Sequence, residues 1–206
     1  MRIYDAPTLA AIALNEVAPR QFITFFARDR GTNAIVQDSY WSDVGVLTAN
    51  VIDPATGSTV SRTYASGGNL IGLTPISSVV GLTVQTINVQ LSQVSANIDN
   101  LIRTYDIRQS RIEIHTGLMN INTYRLISPA TPIFVGYVDS IELTTPKEGE
   151  YGGAMLSCVS QTQEMTRKNS ATASDADQKL RNPTDTFFKH AATVGSWQVK
   201  WGLGVF

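Results

Sequence analysis

Cysteine and histidine are scarce in this 206-residue sequence, which contains one cysteine, Cys158, and two histidines, His115 and His190. A single cysteine cannot form an internal disulfide, and it excludes zinc or iron–sulfur sites that need several thiolates. Neither histidine has an acidic residue at metal-binding spacing, so we expect both to be surface histidines. Cys158 shares the parity of Ala154 and Leu156 in an alternating run, which predicts a buried strand residue rather than a nucleophile.

Charged residues are also few. They make up 16% of the chain, against about 25% in an average domain, and the net charge is −1. No global field therefore attracts the protein to nucleic acid or to an anionic membrane. Much of the surface must consist of Ser, Thr, Asn and Gln, whose burial costs less than the burial of ions. The composition thus favours assembly with neighbouring subunits.

Long apolar runs and catalytic motifs are missing as well. The segment MRIYDAPTLAAIALNE is too short and too interrupted to span a membrane, and it lacks the apolar region of a signal peptide, so we expect an intracellular product. The glycine pairs at 67–68 and 152–153 match neither a Walker loop nor a dinucleotide fingerprint, and no serine stands in a G-x-S-x-G context. The sequence therefore predicts no catalytic residue, no cofactor and no metal site.

The distribution of apolar residues is typical of a mainly β protein, a β-barrel or sandwich with two or three short α-helices. The segment RQFITFFAR (20–28) is apolar on both faces, which predicts a strand covered on both sides. Short extended pieces between residues 31 and 72, separated by turn residues, predict a meander. Two alternating runs within 132–166, joined by a charged turn around 147–150, predict an antiparallel hairpin.

Two strand details follow from the order of the apolar residues. In RIEIH, Ile112 and Ile114 point inward, so we expect Arg111, Glu113 and His115 to face solvent or an interface. In GLTVQTINVQLSQV the apolar parity switches, which predicts a β-bulge within one strand. The apolar positions are Leu82 and Val84 before the switch and Ile87, Val89 and Leu91 after it.

Three segments carry helix signals. The first begins at Asp5 and ends near Glu16, and Ser95 caps the second, which should extend for about three turns. The third includes Pro183 and ends at Gly195. Their apolar faces are Leu9, Ile12 and Ala13 in the first, Ile98, Leu101, Ile102 and Tyr105 in the second, and Phe187, Phe188, Ala191 and Ala192 in the third.

The segment RKNSATASDADQKLRNP (167–183) contains no aromatic and no β-branched aliphatic residue. Because it can bury little within its own chain, we expect an extended arm. The arm is tethered between a β-rich domain at 1–166 and a C-terminal helix and strand at 184–206. In that last part Trp197 and Trp201 share one strand parity, as is typical of core or interface anchors.

The order of these elements resembles the tail-tip proteins of long-tailed bacteriophages and gene-transfer particles, in the group that contains baseplate hub and distal tail proteins. The resemblance covers roughly residues 80–202: a bulged strand, NIDNLIRTYDIR, RIEIHTG, PIFVGYVDSIE, a hairpin that ends in CVSQTQEMTRKN, and SDADQ…R-x-P-x-D…FF…W-x-V-x-WG. None of the matching residues is a catalytic signature. They are Ile112, Glu113, Ile114, Phe134, Gly136, Val138, Asp139, Arg167, Ser174, Asp175, Asp177, Gln178, Arg181, Pro183, Asp185, Phe188, Trp201 and Gly202. Some hub relatives carry a cysteine-rich terminal part that binds an iron–sulfur cluster, which this chain lacks.

This resemblance implies a structural virion protein, assembled in the host cytoplasm, that forms a ring around the tail axis from a β-barrel or sandwich flanked by a helix. Such a ring joins the tail tube to the tape measure protein, the distal tip and the receptor-binding proteins, and DNA passes through its lumen without specific binding. A trimeric hub is the preferred arrangement, and a hexameric distal tail ring is the alternative. No enzymatic activity, no cofactor and no membrane contact are implied.

The arm then becomes a clasp between subunits, which orders on assembly because a neighbour supplies hydrogen bonds and excludes water. The candidate interface residues are Arg167, Asn169, Ser174, Asp175, Asp177, Gln178, Arg181, Phe188, Trp197 and Trp201.

Two other function classes stay open. A carbohydrate-binding module would use Trp41, Trp197 or Trp201 as an exposed platform. A cell-wall hydrolase would centre on Asp139, which interrupts an apolar strand face, together with Glu142 or Glu164. Asp139 and Glu142 have opposite strand parity, however, which argues against that pair, and a structural hydrogen bond or ion pair is favoured for Asp139. The apolar face in question consists of Ile133, Val135, Tyr137, Ile141 and Leu143.

Overall fold

A curled antiparallel β-sheet forms most of the first of two structural units. The computed structural model describes residues 5–65, 70–77, 81–92, 96–144, 147–148, 152–166 and 171–198. The chain divides into a unit at 1–165 and a unit at 166–206. The predicted fold class is confirmed, since the chain is mainly β with short helices.

Most strands of the first unit belong to one sheet, in the order β2-β1-β7-β9-β10-β6-β5, with β8 paired to β7. Its strand pairs are antiparallel. Strands β3 and β4 form a separate antiparallel hairpin. The elements are α1 (Ala6–Ala13), β1 (Val17–Asp29), β2 (Ile35–Trp41), β3 (Leu47–Ile52), β4 (Thr59–Tyr64), β5 (Leu70–Leu73), β6 (Thr86–Ser92), α2 (Ala96–Arg103), β7 (Tyr105–Asn120), β8 (Arg125–Leu126), β9 (Thr131–Thr144), β10 (Gly153–Ser160) and a 3₁₀-helix (Gln161–Thr166).

One face of the sheet is packed against α2. Ile23 and Phe25 of β1 point to this face and join a core cluster that includes Ile98 and Leu101 of the helix. Both helix residues are fully buried. Burial of a side chain of this size stabilises the fold by about 1.5–3 kcal/mol. The i, i+3 spacing of these two residues therefore fixes α2 on the sheet.

The opposite face of the sheet is covered by the β3–β4 hairpin. Phe22 of β1 stacks on Trp41 with a centroid distance of 6.1 Å and meets Tyr64 of β4 edge to face at 5.0 Å. The hairpin is also bridged to the sheet between Val51 and Ala130. Because Phe22 and Ile23 are both fully buried on opposite faces, the prediction that β1 is covered on both sides is confirmed. The hairpin-side cluster consists of Phe22, Trp41, Ala49, Val51, Tyr64, Met119 and Ala130.

Two predicted helices differ in detail from the observed ones. In α1 the buried residues are Thr8 and Ala11, whereas Leu9 and Ile12 are exposed, so the predicted apolar face is wrong. Thr8 faces the protein because its hydroxyl donates to the Ser128 hydroxyl at 3.3 Å. The described part of α2 has about two turns and ends at Arg103, so Tyr105, which was predicted on its apolar face, belongs to β7. The predicted cap Ser95 lies outside the described residues.

The predicted bulge near residue 85 is wrong. Leu82 is exposed and lies before the strand, and β6 begins only at Thr86 with Ile87, Val89 and Leu91 buried. The parity switch therefore marks the start of a strand. A run of alternating residues does not by itself show where pairing begins, because only the segment opposite β10 gains ladder hydrogen bonds.

The predicted hairpin within 132–166 is confirmed as β9 and β10, but the buried parity of β9 is wrong. The fully packed residues are Phe134, Gly136 and Val138, and Asp139 is exposed. Ser157 and Cys158 are paired with Ser140 and Val138, so the register skips Asp139, which lies in a β-bulge. Both faces of β9 carry apolar residues, and parity alone could not decide between them.

The second unit contains a helix where the sequence predicts an extended arm. Helix α3 (Asp175–Arg181) begins at the cap Ser174, and acidic residues in its first turn are followed by basic residues in its last turn. This arrangement complements the helix dipole. The cap and the charged residues therefore stabilise a helix here. The segment was predicted to be extended because it has no apolar periodicity.

The predicted helix from Pro183 to Gly195 is absent from the described residues. Residues 183–184 and 187–193 form turns, followed by a short 3₁₀-helix, Val194–Ser196. Asn182 and Asp185 accept hydrogen bonds from backbone N–H groups two residues ahead, and such local bonds compete with helix formation. Of the strand predicted in SWQVKWG, Ser196 lies in the 3₁₀-helix, residues 197–198 have no regular secondary structure, and the rest lies outside the described residues.

Candidate inter-subunit surface

Helix α3 is held together by side-chain contacts along its length. The Ser174 hydroxyl accepts a hydrogen bond from the Asp177 backbone N–H at 3.2 Å. Asp175 pairs with Lys179 at 2.6 Å and Asp177 pairs with Arg181 at 3.1 Å, both at i, i+4 spacing. The charges of the helix are therefore neutralised within the helix itself.

Gln178 connects α3 to the turn that follows it, because its amide Nε2 donates to a carboxylate oxygen of Asp185. The other carboxylate oxygen of Asp185 accepts from the Phe187 backbone N–H at 2.9 Å. The helix and the turn consequently form one local structure.

No side chain is buried in the described part of the second unit, residues 171–198. Large apolar side chains there are exposed: 85% of Leu180, 81% of Phe187 and 52% of Trp197. Phe187 contacts Phe188 edge to face at 4.9 Å between centroids. Scattered single exposed apolar residues are normal, but several of them on a segment without a buried core are typical of an interaction surface.

The predicted interface residues fall into two groups. Ser174, Asp175, Asp177, Gln178 and Arg181 lie together on or next to α3. Phe188 is half-buried and Trp197 lies beside His190 with a centroid distance of 5.1 Å. Arg167, Asn169 and Trp201 lie outside the described residues.

The two most exposed apolar residues of this surface, Leu180 and Phe187, are not among the predicted interface residues. Leu180 stands among polar and charged neighbours, which predict no apolar contact. Phe187 is predicted on the apolar face of a helix from Pro183 to Gly195, and that helix does not form. The isolated leucine in an otherwise polar segment is the sequence feature that could have identified Leu180 as part of the surface.

The outer face of β7 is buried, contrary to the prediction of a solvated or interfacial face. Glu113 is 2% exposed and accepts from two arginines, Arg62 of β4 and Arg111 of its own strand, each at 2.8 Å. The β3–β4 hairpin supplies Arg62 and covers this part of the sheet. The alternation of residues within β7 does not show that the β3–β4 hairpin, about fifty residues earlier in the chain, covers this face.

His115 is likewise buried and not a surface histidine. Its Nε2 atom lies 2.9 Å from the Ile52 carbonyl oxygen of the hairpin, and its Nδ1 atom has no hydrogen-bond partner among the described residues. Burial lowers the pKa of the imidazole, although the bond to Ile52 opposes this shift. The neutral ring therefore holds the hairpin against β7.

Cys158 is fully buried in the core, as predicted, and burial raises the pKa of its thiol to about 12. Asp139, Glu142 and Glu164 are all exposed, so Asp139 is not the buried carboxylate that the hydrolase hypothesis required. Trp41 is 6% exposed, and its indole N–H donates to the Gly45 carbonyl at 2.9 Å. It therefore cannot serve as an exposed sugar platform.

Among the described residues, no group of three or more His, Cys, Asp or Glu side chains could hold a metal ion. None of the helices in the described part of the chain is long and apolar enough to cross a membrane. No protein-family model matches the sequence, and no curated protein matches it.

Proposed function

We propose that this protein is a non-enzymatic structural subunit of the tail tip of a long-tailed bacteriophage or gene-transfer particle. It forms a ring around the tail axis that joins the tail tube to the distal tip and the receptor-binding proteins. A trimeric hub is the preferred arrangement, and a hexameric distal tail ring is the alternative. The resemblance over residues 80–202 suggests this role, and the surface of the second unit is the observation that supports it most directly.

The second unit needs a partner surface for energetic reasons. Ordering the backbone costs about 1–2 kcal/mol per residue, and burial of a large apolar side chain returns about 1.5–3 kcal/mol. In residues 171–198 no side chain is buried. A neighbouring subunit that covers Leu180, Phe187 and Trp197 would supply the free energy of apolar burial that the second unit lacks.

The charge arrangement of α3 also suits burial against a neighbour. An unpaired charge is expensive to bury, whereas a paired charge is much less so. Asp175 and Asp177 are already paired with Lys179 and Arg181. The helix therefore presents a nearly neutral surface around the exposed Leu180, and we assign it the role of a clasp on the next copy of the chain. Repetition of such a heterologous contact gives a ring when the rotation between successive copies closes on itself.

The mass of the purified oligomer, or of the tail-tip substructure, tests this proposal, because three or six copies distinguish the hub from the distal tail ring. Deletion of residues 169–180 should abolish ring assembly while the first unit keeps its circular dichroism spectrum. Normal assembly by the deletion variant would contradict the clasp. A strict monomer in assembled particles would contradict the ring.

Point variants separate the clasp from a general loss of apolar surface. The double variant Leu180→Ser and Phe187→Ser should remain folded and lose assembly, measured by light scattering after size exclusion. Leu82→Ser is the matched control, since Leu82 is 75% exposed in the first unit. We expect the control to assemble normally, and equal loss in both proteins would argue against a specific role for the second unit.

A further inference from the structure

A cleft in the first unit is lined by four arginines. It has a volume of about 590 Å³ and lies beside the β3–β4 hairpin on the face of the sheet that the hairpin covers. The arginines come from three strands: Arg28 from β1, Arg62 from β4, and Arg108 and Arg111 from β7. Neither the assembly role nor the interface residues discussed above involve this cleft.

The buried wall of the cleft carries surplus positive charge. Arg62 and Arg111 both donate to Glu113, so two guanidinium groups share one carboxylate. Both guanidinium groups also lie over the ring of Phe26, at 5.4 and 6.0 Å from its centroid. These contacts fix the two arginines in place and leave one positive charge uncompensated within the cluster.

Nearby carboxylates do not balance this charge by direct contact among the described residues. Asp53 lines the cleft, but its oxygens accept from the Ala55 backbone N–H and the Thr56 hydroxyl in its own turn. Asp106 also lines the cleft and is exposed. Hydrogen bonds within this turn lower the pKa of Asp53, and the charges of Arg62 and Arg111 add smaller contributions. Four arginines and three carboxylates line the cleft, so the formal charge of its lining is +1.

Three donors at the cleft have no partner in the part of the chain that the structure describes. The hydroxyl of Ser110 is buried and unbonded, and so is the Nε atom of Arg111. Ser110 is only 7% exposed, so solvent satisfies it poorly. The exposed guanidinium of Arg108 makes no ion pair with the described residues. Of the three, only the Arg108 guanidinium is accessible to a ligand in the cleft, and it is free to bind an anion.

The backbone of β7 is distorted at the same place. The register between β1 and β7 shifts here, because Phe26 is opposite Arg111 while Arg28 is opposite Asp106. Within the resulting bulge, Gln109 has a φ of +60°, a left-handed conformation that is uncommon for glutamine. The bulge separates Arg108 and Ser110, which both line the cleft. Strained residues and bulges of this kind cluster at binding sites.

We propose that this cleft is a binding site for the phosphate group of a small ligand, either free phosphate or a nucleoside phosphate. Arg28 and Arg108 are the exposed arginines of its lining, and Arg62 and Arg111 are the more buried ones. Four guanidinium groups at one cleft suit the oxygens of a tetrahedral phosphate, because planar guanidinium groups bind such oxygens in bidentate fashion. The cluster of Arg62, Glu113 and Phe26 holds the site in shape.

Binding of inorganic phosphate to the full chain tests the proposal, with ionic strength held constant by sodium chloride. Calorimetry should show saturable binding at one site per chain. In ¹H–¹⁵N spectra of the side chains, the Arg111 Nε–H signal should shift with the same midpoint. A parallel titration with adenosine diphosphate distinguishes the two ligand sources: tighter binding than phosphate favours a nucleotide, and equal binding favours the free anion. Absence of saturable binding by either probe would overturn the proposal.

Variants locate the site. Arg108→Ala should weaken phosphate binding by about tenfold, because it removes a charge-assisted contact. Arg125→Ala is the matched control, since Arg125 is exposed on β8 and does not line the cleft. Equal weakening by Arg108→Ala and Arg125→Ala would show that only general charge attracts the anion. The wild-type shift of Arg111 gives a readout that does not depend on the folding of any variant, and the result is independent of the oligomer proposed above.

Discussion

Arg62 of the β3–β4 hairpin and Glu113 of the central strand β7 form a buried ion pair, with 2.8 Å between Nη1 and Oε2. Their side chains are 7% and 2% exposed. Because a second arginine, Arg111, also binds Glu113, the carboxylate is the point at which the hairpin and the sheet are joined by charge. The hairpin is also attached by the apolar cluster around Phe22 and Tyr64 and by the contact between His115 and the Ile52 carbonyl.

We expect Glu113→Ala to lower the free energy of unfolding by about 3–5 kcal/mol, because it leaves the buried Arg62 without a carboxylate. Urea denaturation followed by tryptophan fluorescence measures this change. Asp99→Ala on α2 is the control, since the Asp99–Arg103 pair is exposed and such pairs contribute about 0.2–1 kcal/mol. A loss no larger than that of the control would show that the buried pair adds no net stability.

The buried His115 should make the fold less stable in mild acid. Burial lowers the pKa of His115 below its ordinary value of 6.5, so the unfolded chain takes up a proton at a pH where the folded chain does not. Stability from this group is therefore present above pH 6.5 and is lost as the pH falls below it, by at most about 1.4 kcal/mol per pH unit. Urea midpoints measured between pH 7.5 and 5.5 report the slope.

Replacement of His115 isolates its share of this slope. His115→Gln removes the titrating group and keeps a donor for the Ile52 carbonyl, so the decline in stability over that range should become shallower. His190→Gln removes an exposed histidine of the second unit and should leave the slope unchanged. If both variants behave like the wild type, His115 does not control the acid sensitivity.

Gly136 has no room for a side chain. A Cβ atom there would lie 2.1 Å from the Val159 carbonyl oxygen and less than 3 Å from the Phe134 ring. We expect Gly136→Ala to destabilise the first unit by about 3 kcal/mol through overpacking, measured as a drop in the urea midpoint. Gly195→Ala is the matched control, because a Cβ at Gly195 meets nothing within 4 Å. Similar midpoints for the two variants would mean that the sheet adapts to the extra methyl group.

The thiol of Cys158 should be inert in the folded protein. It is fully buried, and its pKa of about 12 keeps it protonated at pH 8, whereas the thiolate is the reactive form. Ellman's reagent should therefore detect no thiol in the native chain and one thiol per chain in guanidinium chloride. Rapid stoichiometric reaction under native conditions would indicate that the strand pair β9–β10 opens frequently.

The strands were predictable where a local pattern determined the outcome. Alternation on both faces identified β1, and a charged turn identified the β9–β10 hairpin. The parity of Cys158 was enough to predict its burial. In these cases the residues that form the sequence pattern are the same residues whose packing determines the structure, so the local sequence is sufficient.

Long-range cover was not predictable. Arg111, Glu113 and His115 alternate as a solvated strand face should, yet a hairpin from earlier in the chain buries most of that face. The bulge at Asp139 exposes a carboxylate that simple alternation places among apolar residues. Both features depend on the register between distant strands, which alternation within one strand does not encode.

The candidate surface was predicted only in part. The cluster of polar residues around Ser174 and Gln178 was identified, but its helical form and the exposure of Leu180 were not. Helix α3 is stabilised by its cap and ion pairs and not by an apolar stripe. A search for apolar periodicity passes over a helix of this kind.

The pairing of β1 has a consequence for how the protein is made. Phe22 lies between Trp41 of β2, which follows it closely in the chain, and His115 of β7, which follows more than ninety residues later. A ribosome must therefore release most of the polypeptide before the first strand acquires its second neighbour. During that interval the nascent chain carries uncovered aromatic surface, so maturation should be slow and should benefit from chaperones.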